Sequence, residues 1–115
     1  MTRLRLYGIA NCDTVKRARA WLTANGVDHE FVDFKKAGLE PERLARWVDT
    51  LGWEPLLNRR GTTWRKLPTE RQAAVVDSAS AQALMLDQLS VIKRPVLEWA
   101  DGRLTVGFDQ SLALG

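Results

Sequence analysis

Cys12 is the one residue in this 115-residue chain whose type suits covalent chemistry without a partner, and it is the only cysteine. A thiolate is a strong nucleophile, and its abundance at neutral pH depends on its surroundings. Those surroundings can be read from the flanking residues. Arg3-Leu4-Arg5-Leu6-Tyr7 alternates apolar and basic side chains with the period of a strand, and Gly8 through Asn11 reads as a turn. Val15, Ala18 and Leu22 then fall at helical spacing, closed by Asn25-Gly26. Cys12 therefore sits at or beside a helix N-terminus, where unpaired N–H groups and the positive end of the helix dipole lower a thiol pKa. Asp13 works against that shift, and Lys16 and Arg17 one turn later work with it. Cysteine is also among the most buried residue types, so a small core hydrophobe is the competing reading. Thr14, in the first turn, is placed either to hydrogen-bond the thiolate or to cap backbone.

Two other segments carry charge where chemistry could use it. Asn58-Arg59-Arg60-Gly61-Thr62-Thr63-Trp64-Arg65-Lys66 is polar, basic and without sustained periodicity, and reads as a loop that aims cations at something anionic or as a solvated basic loop. Ile92-Lys93-Arg94-Pro95 precedes a strand. Thioredoxin-like domains place their nucleophile at the end of the first strand and a cis-proline loop opposite it, so by analogy Pro95 would be cis and Arg94 would face Cys12. His29 has no partner at metal-ligand spacing and reads as a surface residue, with no zinc site expected and no Ser-His-Asp arrangement. No glycine-rich phosphate loop is present. Trp47 and Trp64 read as core residues.

The elements that must position these groups begin with a β-α-β unit, completed by a strand at Phe31-Val32-Asp33-Phe34 with a right-handed crossover. Lys35 to Leu39 reads as a loop. Pro41 suits a first helical turn, and Leu44, Trp47, Val48 and Leu51 follow at i, i+3, i+4, i+7 before Gly52. Thr69 and Ser80 are candidate N-caps of two short helices, the second carrying Ala81, Leu84 and Met85. Val96-Leu97-Glu98-Trp99 and Leu104-Thr105-Val106 flank Asp101-Gly102, a turn pair suited to positive φ, and predict a hairpin. The pattern is α/β, in one domain spanning residues 1–115.

Composition narrows the function classes. A lone cysteine cannot close an internal disulfide, which excludes a disulfide-framed scaffold and points to the reducing cytoplasm. No run approaches the roughly 20 apolar residues of a membrane span, and Met1–Gly8 lacks the apolar core of a secretion signal, so a soluble, unprocessed protein is expected. The net charge of +3 is modest for a nucleic-acid binder, and none is expected as a direct partner. It suits a small anionic substrate if the cations are focused.

Tyr7-Gly8-Ile9-Ala10-Asn11-Cys12-Asp13-Thr14-Val15-Lys16-Arg17-Ala18, the segment Leu57 to Leu67, Ile92-Lys93-Arg94-Pro95-Val96-Leu97 and Val106-Gly107-Phe108 together resemble the ArsC/Spx family, and within it the YffB-type ArsC-like reductases. The likeness runs over nearly the whole chain with its blocks in order. It implies a thioredoxin-like fold with a mixed four-stranded sheet, a helical insertion at about residues 40–90, a catalytic thiolate and an anion pocket lined by arginines. Cys12 matches the family's nucleophile and Arg94 one of its arginines. A second family arginine aligns best with Asn58, followed at once by Arg59 and Arg60, and a third falls near Gly107.

Carried onto this chain, the resemblance makes Cys12 and Arg94 catalytic and places Asn11, Thr14, Arg60, Lys93 and Pro95 at the substrate. Spx-type regulators carry a second cysteine where this chain has Val15, so an intramolecular disulfide switch is impossible here. A monothiol needs an outside thiol to resolve its oxidised form. Glutathione is the abundant anionic candidate, as co-substrate rather than a tightly bound cofactor, with glutaredoxin as a further partner. The expected activity is a glutathione-dependent thiol reductase acting as a monomer. The alternatives are arsenate reduction coupled to glutathione and glutaredoxin, and Spx-like binding to RNA polymerase.

Overall fold

The computed structural model describes residues 3–108. In chain order, strand β1 (Leu4–Gly8) leads to helix α1 (Asp13–Ala24), strand β2 (His29–Asp33) and a helical turn α2 (Phe34–Ala37). Five further helices follow: α3 (Pro41–Leu51), α4 (Trp53–Leu56), α5 (Thr62–Arg65), α6 (Thr69–Ala73) and α7 (Ser78–Asp87). A 3-10 turn at Leu89–Val91 precedes strands β3 (Val96–Glu98) and β4 (Leu104–Val106). The described residues up to Gly38 and from Arg94 onward form one compact unit, and Leu39–Lys93 form another.

The first unit contains the sheet, a mixed four-stranded one in the order β2-β1-β3-β4. β1 runs parallel to β2 and antiparallel to β3, and β3 is antiparallel to β4. With the β-α-β start, this is the thioredoxin-like arrangement that the resemblance implies. The alternation in β1 sets which side chains enter the core. Leu4 and Leu6, two residues apart, share a face, and with Leu97 they pack against Val15, Ala18 and Leu22 of α1. Those three helix positions form one stripe, as the 3.6-residue period requires. α1 stops where expected. Asn25 is its C-cap, Gly26 takes a φ of 71°, and the Val27 N–H donates to the Leu22 carbonyl at 2.9 Å.

Four local expectations are corrected. Phe34 does not end the second strand: β2 stops at Asp33, and Phe34 opens α2, which occupies part of the expected loop Lys35 to Leu39. The Asp33 carboxylate accepts the N–H groups of Lys35 and Lys36 at 3.0 and 3.2 Å, and this cap turns the chain into a helix. Thr69 and Ser80 are not N-caps. Pro68 caps α6, and Asp77 caps α7, with Ser80 as the N3 member of a capping box. In the hairpin only Gly102 takes a positive φ, 92°. Asp101 instead holds the loop by accepting the Arg103 N–H at 3.0 Å and its Nε at 2.8 Å.

In the second unit, α3 buries Leu44, Trp47 and Val48 and α7 buries Ala81, Leu84 and Met85. Trp47 is a core residue, as expected, at 1% exposure. Leu57 bridges to Ile92, flanked by hydrogen bonds from Asn58 N–H to Val91 O and from Lys93 N–H to Leu56 O, both 2.8 Å. The expected loop from Asn58 to Lys66 contains the single turn α5. It starts after Gly61, where a Cβ would lie 2.8 Å from Asn58 Nδ2. No helix among the described residues is long and apolar enough to cross a membrane.

Candidate functional site

The approach to Cys12 is constrained on both sides. At the end of β1, a Cβ on Gly8 would stand 2.6 Å from Cγ2 of Val15, so only glycine lets the strand pass this close to the first turn of α1. Gly8 pairs with Asp33 at the end of the parallel ladder. Two residues on, the Ala10 N–H donates to Asp33 Oδ2 at 3.1 Å. Cys12 is then the N-cap of α1, with extended φ and ψ of −125° and 122°, and its carbonyl accepts from the Lys16 N–H at 3.0 Å.

Cys12 occupies the N-cap position of this helix, and its side chain makes no cap hydrogen bond. Burial pushes the Cys12 thiol up. The N–H of Val15, the guanidinium of Arg94 and the N–H of Thr14 act against burial and outweigh it, so the thiol lies below its ordinary value. Cys12 is half-buried and forms no disulfide. Backbone N–H groups of the first helical turn and the Arg94 guanidinium thus favour the thiolate form of a half-buried sulfur.

Arg94 arrives from the other end of the chain. It stands just before β3 and joins Pro95 through a cis peptide bond, the isomer that the fold analogy suggested. Arg94 is half-buried with its Nε atom enclosed, and Pro95 is buried. The Pro95 carbonyl accepts from the Gly107 N–H at 2.8 Å, and Gly107 has a φ of 85°. Gly107 thus makes a backbone contact to the cis-proline loop.

Cys12, Thr14 and Arg94 are brought together in this unit, with Asn11 exposed on the loop beside them. Thr14 contributes its N–H, and its hydroxyl accepts from Arg17 Nη2 at 3.4 Å. Lys16 and Arg17, expected to tune the thiol, are exposed, and the cation that acts on it is Arg94. Arg60 and Lys93 belong to the Leu39–Lys93 unit and are both exposed. The Arg60 N–H donates to Asn58 Oδ1 at 3.1 Å.

Arg59 lies over the rings of Trp53 and Trp64, at 5.6 and 5.8 Å from their centroids. Trp64 is half-buried rather than a core residue, because one ring face carries this arginine. His29 begins β2, half-buried, with Nδ1 3.1 Å from the Val27 carbonyl oxygen. Among the described residues, no group of three His, Cys, Asp or Glu side chains is placed to hold a metal ion. Sequence reasoning overlooked Asp33. Its signal was an N-cap residue type at the end of an apolar strand.

The chain matches the ArsC family over residues 7–113. It is 36% identical over 107 residues to an uncharacterised protein of Haemophilus influenzae, covering 93% of this chain and 92% of that one. The solved structure of a YffB protein is 50% identical and superposes with a TM-score of 0.85, covering 92% of this chain and 91% of the other. An arsenate reductase (ArsC) related protein from Brucella melitensis is 54% identical, with a TM-score of 0.78 and coverage of 96% and 90%. The family match begins in β1, before the cysteine, and runs past β4, so it takes in Cys12, the cis-proline loop and all the helices between them: this chain belongs to the ArsC family.

Proposed function

We propose that this protein is a thiol reductase in which Cys12 is the nucleophile and glutathione supplies the second thiol. The observation that supports this most directly is the Cys12 sulfur at the start of α1, lowered in pKa by the Val15 and Thr14 N–H groups and by Arg94. The thiolate attacks one sulfur of a disulfide substrate, forming a mixed disulfide on Cys12 and expelling the other half as a thiolate. A first glutathione thiolate attacks the Cys12 sulfur, releases the remaining substrate thiolate and leaves Cys12 glutathionylated. A second attacks the glutathione sulfur of that adduct, frees Cys12 as thiolate and departs as oxidised glutathione. In sum, one disulfide is reduced and two glutathione thiols are oxidised.

Arg94 has two roles in this scheme. It stabilises the Cys12 thiolate before attack and when Cys12 becomes the leaving group. The chain contains no other cysteine, so the resolving thiol comes from outside, either glutathione itself or a glutaredoxin that takes the glutathionyl group. The net charge of +3 favours an anionic thiol over a neutral one. Alkylation of Cys12 by iodoacetamide tests the activated thiol. The rate is expected to rise with pH and level off with a midpoint below the value of about 8.5 for free cysteine. A midpoint at or above that value overturns the proposal.

The name of the Brucella relative, 54% identical, favours arsenate as a second substrate to test. Arsenate is an oxyanion that a guanidinium beside a thiolate could hold, but Gly107 stands where the family's third arginine would be. The expected result is that arsenate-dependent NADPH consumption, with glutathione, glutaredoxin and glutathione reductase present, does not exceed that of Cys12→Ser. Turnover above this control would favour arsenate reduction.

A further inference from the structure

We infer that Asp33 is a positioning residue for Cys12: its carboxylate ties the Ile9–Cys12 loop to the end of β2 and so holds the sulfur at the N-terminus of α1. The inference rests on the functional reading of Cys12 and names a part of its machinery that does not touch the sulfur. One carboxylate does two jobs. Oδ1 accepts from the Lys35 and Lys36 N–H groups at 3.0 and 3.2 Å, and Oδ2 accepts from the Ala10 N–H at 3.1 Å. The first pair is an N-cap of α2. The second reaches across to the loop that delivers the cysteine.

The geometry leaves that loop few other anchors. Gly8 is fixed at its start by the ladder partner Asp33 and by the tight passage against Val15. Cys12 is fixed at its end by the Lys16 N–H to Cys12 carbonyl bond at 3.0 Å. Between them, the Ala10 N–H bond to Asp33 is the tether, and Asn11 is exposed. Thiolate stabilisation by N–H groups depends steeply on alignment, so freedom at Ala10 is transmitted within two residues to the sulfur. The three N–H donors also hold the Asp33 carboxyl below its ordinary value, against the opposing effect of burial, so it is ionised and accepting at neutral pH.

The sign of the effect separates positioning from simple electrostatics. If Asp33 acted on Cys12 only through its negative charge, removing that charge would lower the thiol pKa. If it positions the loop, removing the Ala10 bond raises the pKa. Asp33→Asn keeps one oxygen for the α2 cap, where Asn serves about as well as Asp, and turns an amide that cannot accept toward the Ala10 N–H.

The expected result is a higher thiol midpoint in the iodoacetamide pH profile and a roughly threefold to tenfold slower alkylation at pH 7, with a thermal midpoint within a few degrees of the parent's. Hydrogen exchange of the Ala10 amide, followed by NMR, should become faster in the same variant. An unchanged or lowered thiol midpoint in Asp33→Asn, beside a low parent midpoint, overturns the inference and leaves the functional reading intact. A parent midpoint at or above the free value overturns the functional reading. In that case faster Ala10 exchange still supports the tether, and unchanged exchange overturns it too. Should Asp33→Asn fail to fold, Asp33→Ser supplies an N-cap for α2 through a side chain too short to span both sites, and is read the same way.

Discussion

Oxidised glutathione should add a single glutathionyl group to this protein, on Cys12, and Cys12→Ser should take up none. The chain has no second thiol that could displace the adduct from within, so the mixed disulfide persists until reduced glutathione is added. Intact-mass measurement before and after that addition reads both steps. Arg94→Ala should slow adduct formation at pH 7 by roughly threefold to tenfold. Losing the guanidinium raises the thiol pKa, and each unit of rise cuts the thiolate fraction about tenfold at a pH well below the pKa. The remaining thiolate becomes more nucleophilic with a Brønsted coefficient of about 0.4–0.5, which returns roughly threefold of that loss. The two effects together leave a net slowing of about threefold per unit of pKa rise, and a rise of up to about two units gives about tenfold. An adduct on Cys12→Ser, or a parent rate in Arg94→Ala, would contradict the assignment.

Leu6→Ala should be the most damaging of the conservative core truncations beneath the site, costing about 2–5 kcal/mol. Leu6 is 0% exposed on β1, pairs with Phe31 on one side and Leu97 on the other, and belongs to the cluster formed with Val15, Ala18 and Leu22 of α1. Removal of its side chain therefore opens a cavity between two neighbouring strands and the helix that carries Cys12. Folded domains of this size hold only about 5–15 kcal/mol of net stability, so the loss is a large part of the total. Urea unfolding followed by circular dichroism should show a lower midpoint with an unchanged slope. A loss below about 1 kcal/mol would mean that the cluster collapses around the missing side chain.

The two predictions probe different layers of the same arrangement. The glutathione experiment probes the charges around the sulfur, and the core truncation probes the packing that holds strand and helix in register beneath it. Asp33→Asn lies between them, because it alters neither the core nor the cation and acts through the hydrogen bonds that Asp33 makes to the loop before Cys12 and to the start of α2.

What could be read in the sequence was what depends on near neighbours in the chain. The alternation in Arg3–Tyr7, the spacing of Val15, Ala18 and Leu22, and the stop at Asn25-Gly26 are each decided within a turn or two, so Cys12 at the head of a helix followed from residue order alone. The same holds for the amphipathic helix after Pro41 and for the final hairpin. Boundaries were less legible where a side chain could serve two elements. Phe34 fits a strand by type, but Asp33 caps the next turn and takes Phe34 with it. Ser80 fits an N-cap by type, but Asp77 three residues earlier does that work and Ser80 reciprocates.

By itself, then, the sequence determined that one thiol stands at a helix start with no second cysteine in the chain to pair with it. Only the tertiary structure decided which cation meets it. Lys16 and Arg17 are close in the chain, yet they are exposed on α1, while Arg94 meets the sulfur because it directly precedes β3, which pairs antiparallel with β1. The bond from Ala10 to Asp33 has the same origin, since β2 is brought beside β1 by the crossover through α1. A helix start can be read from residues a turn apart, whereas a contact between strand ends depends on how the intervening chain returns to the sheet.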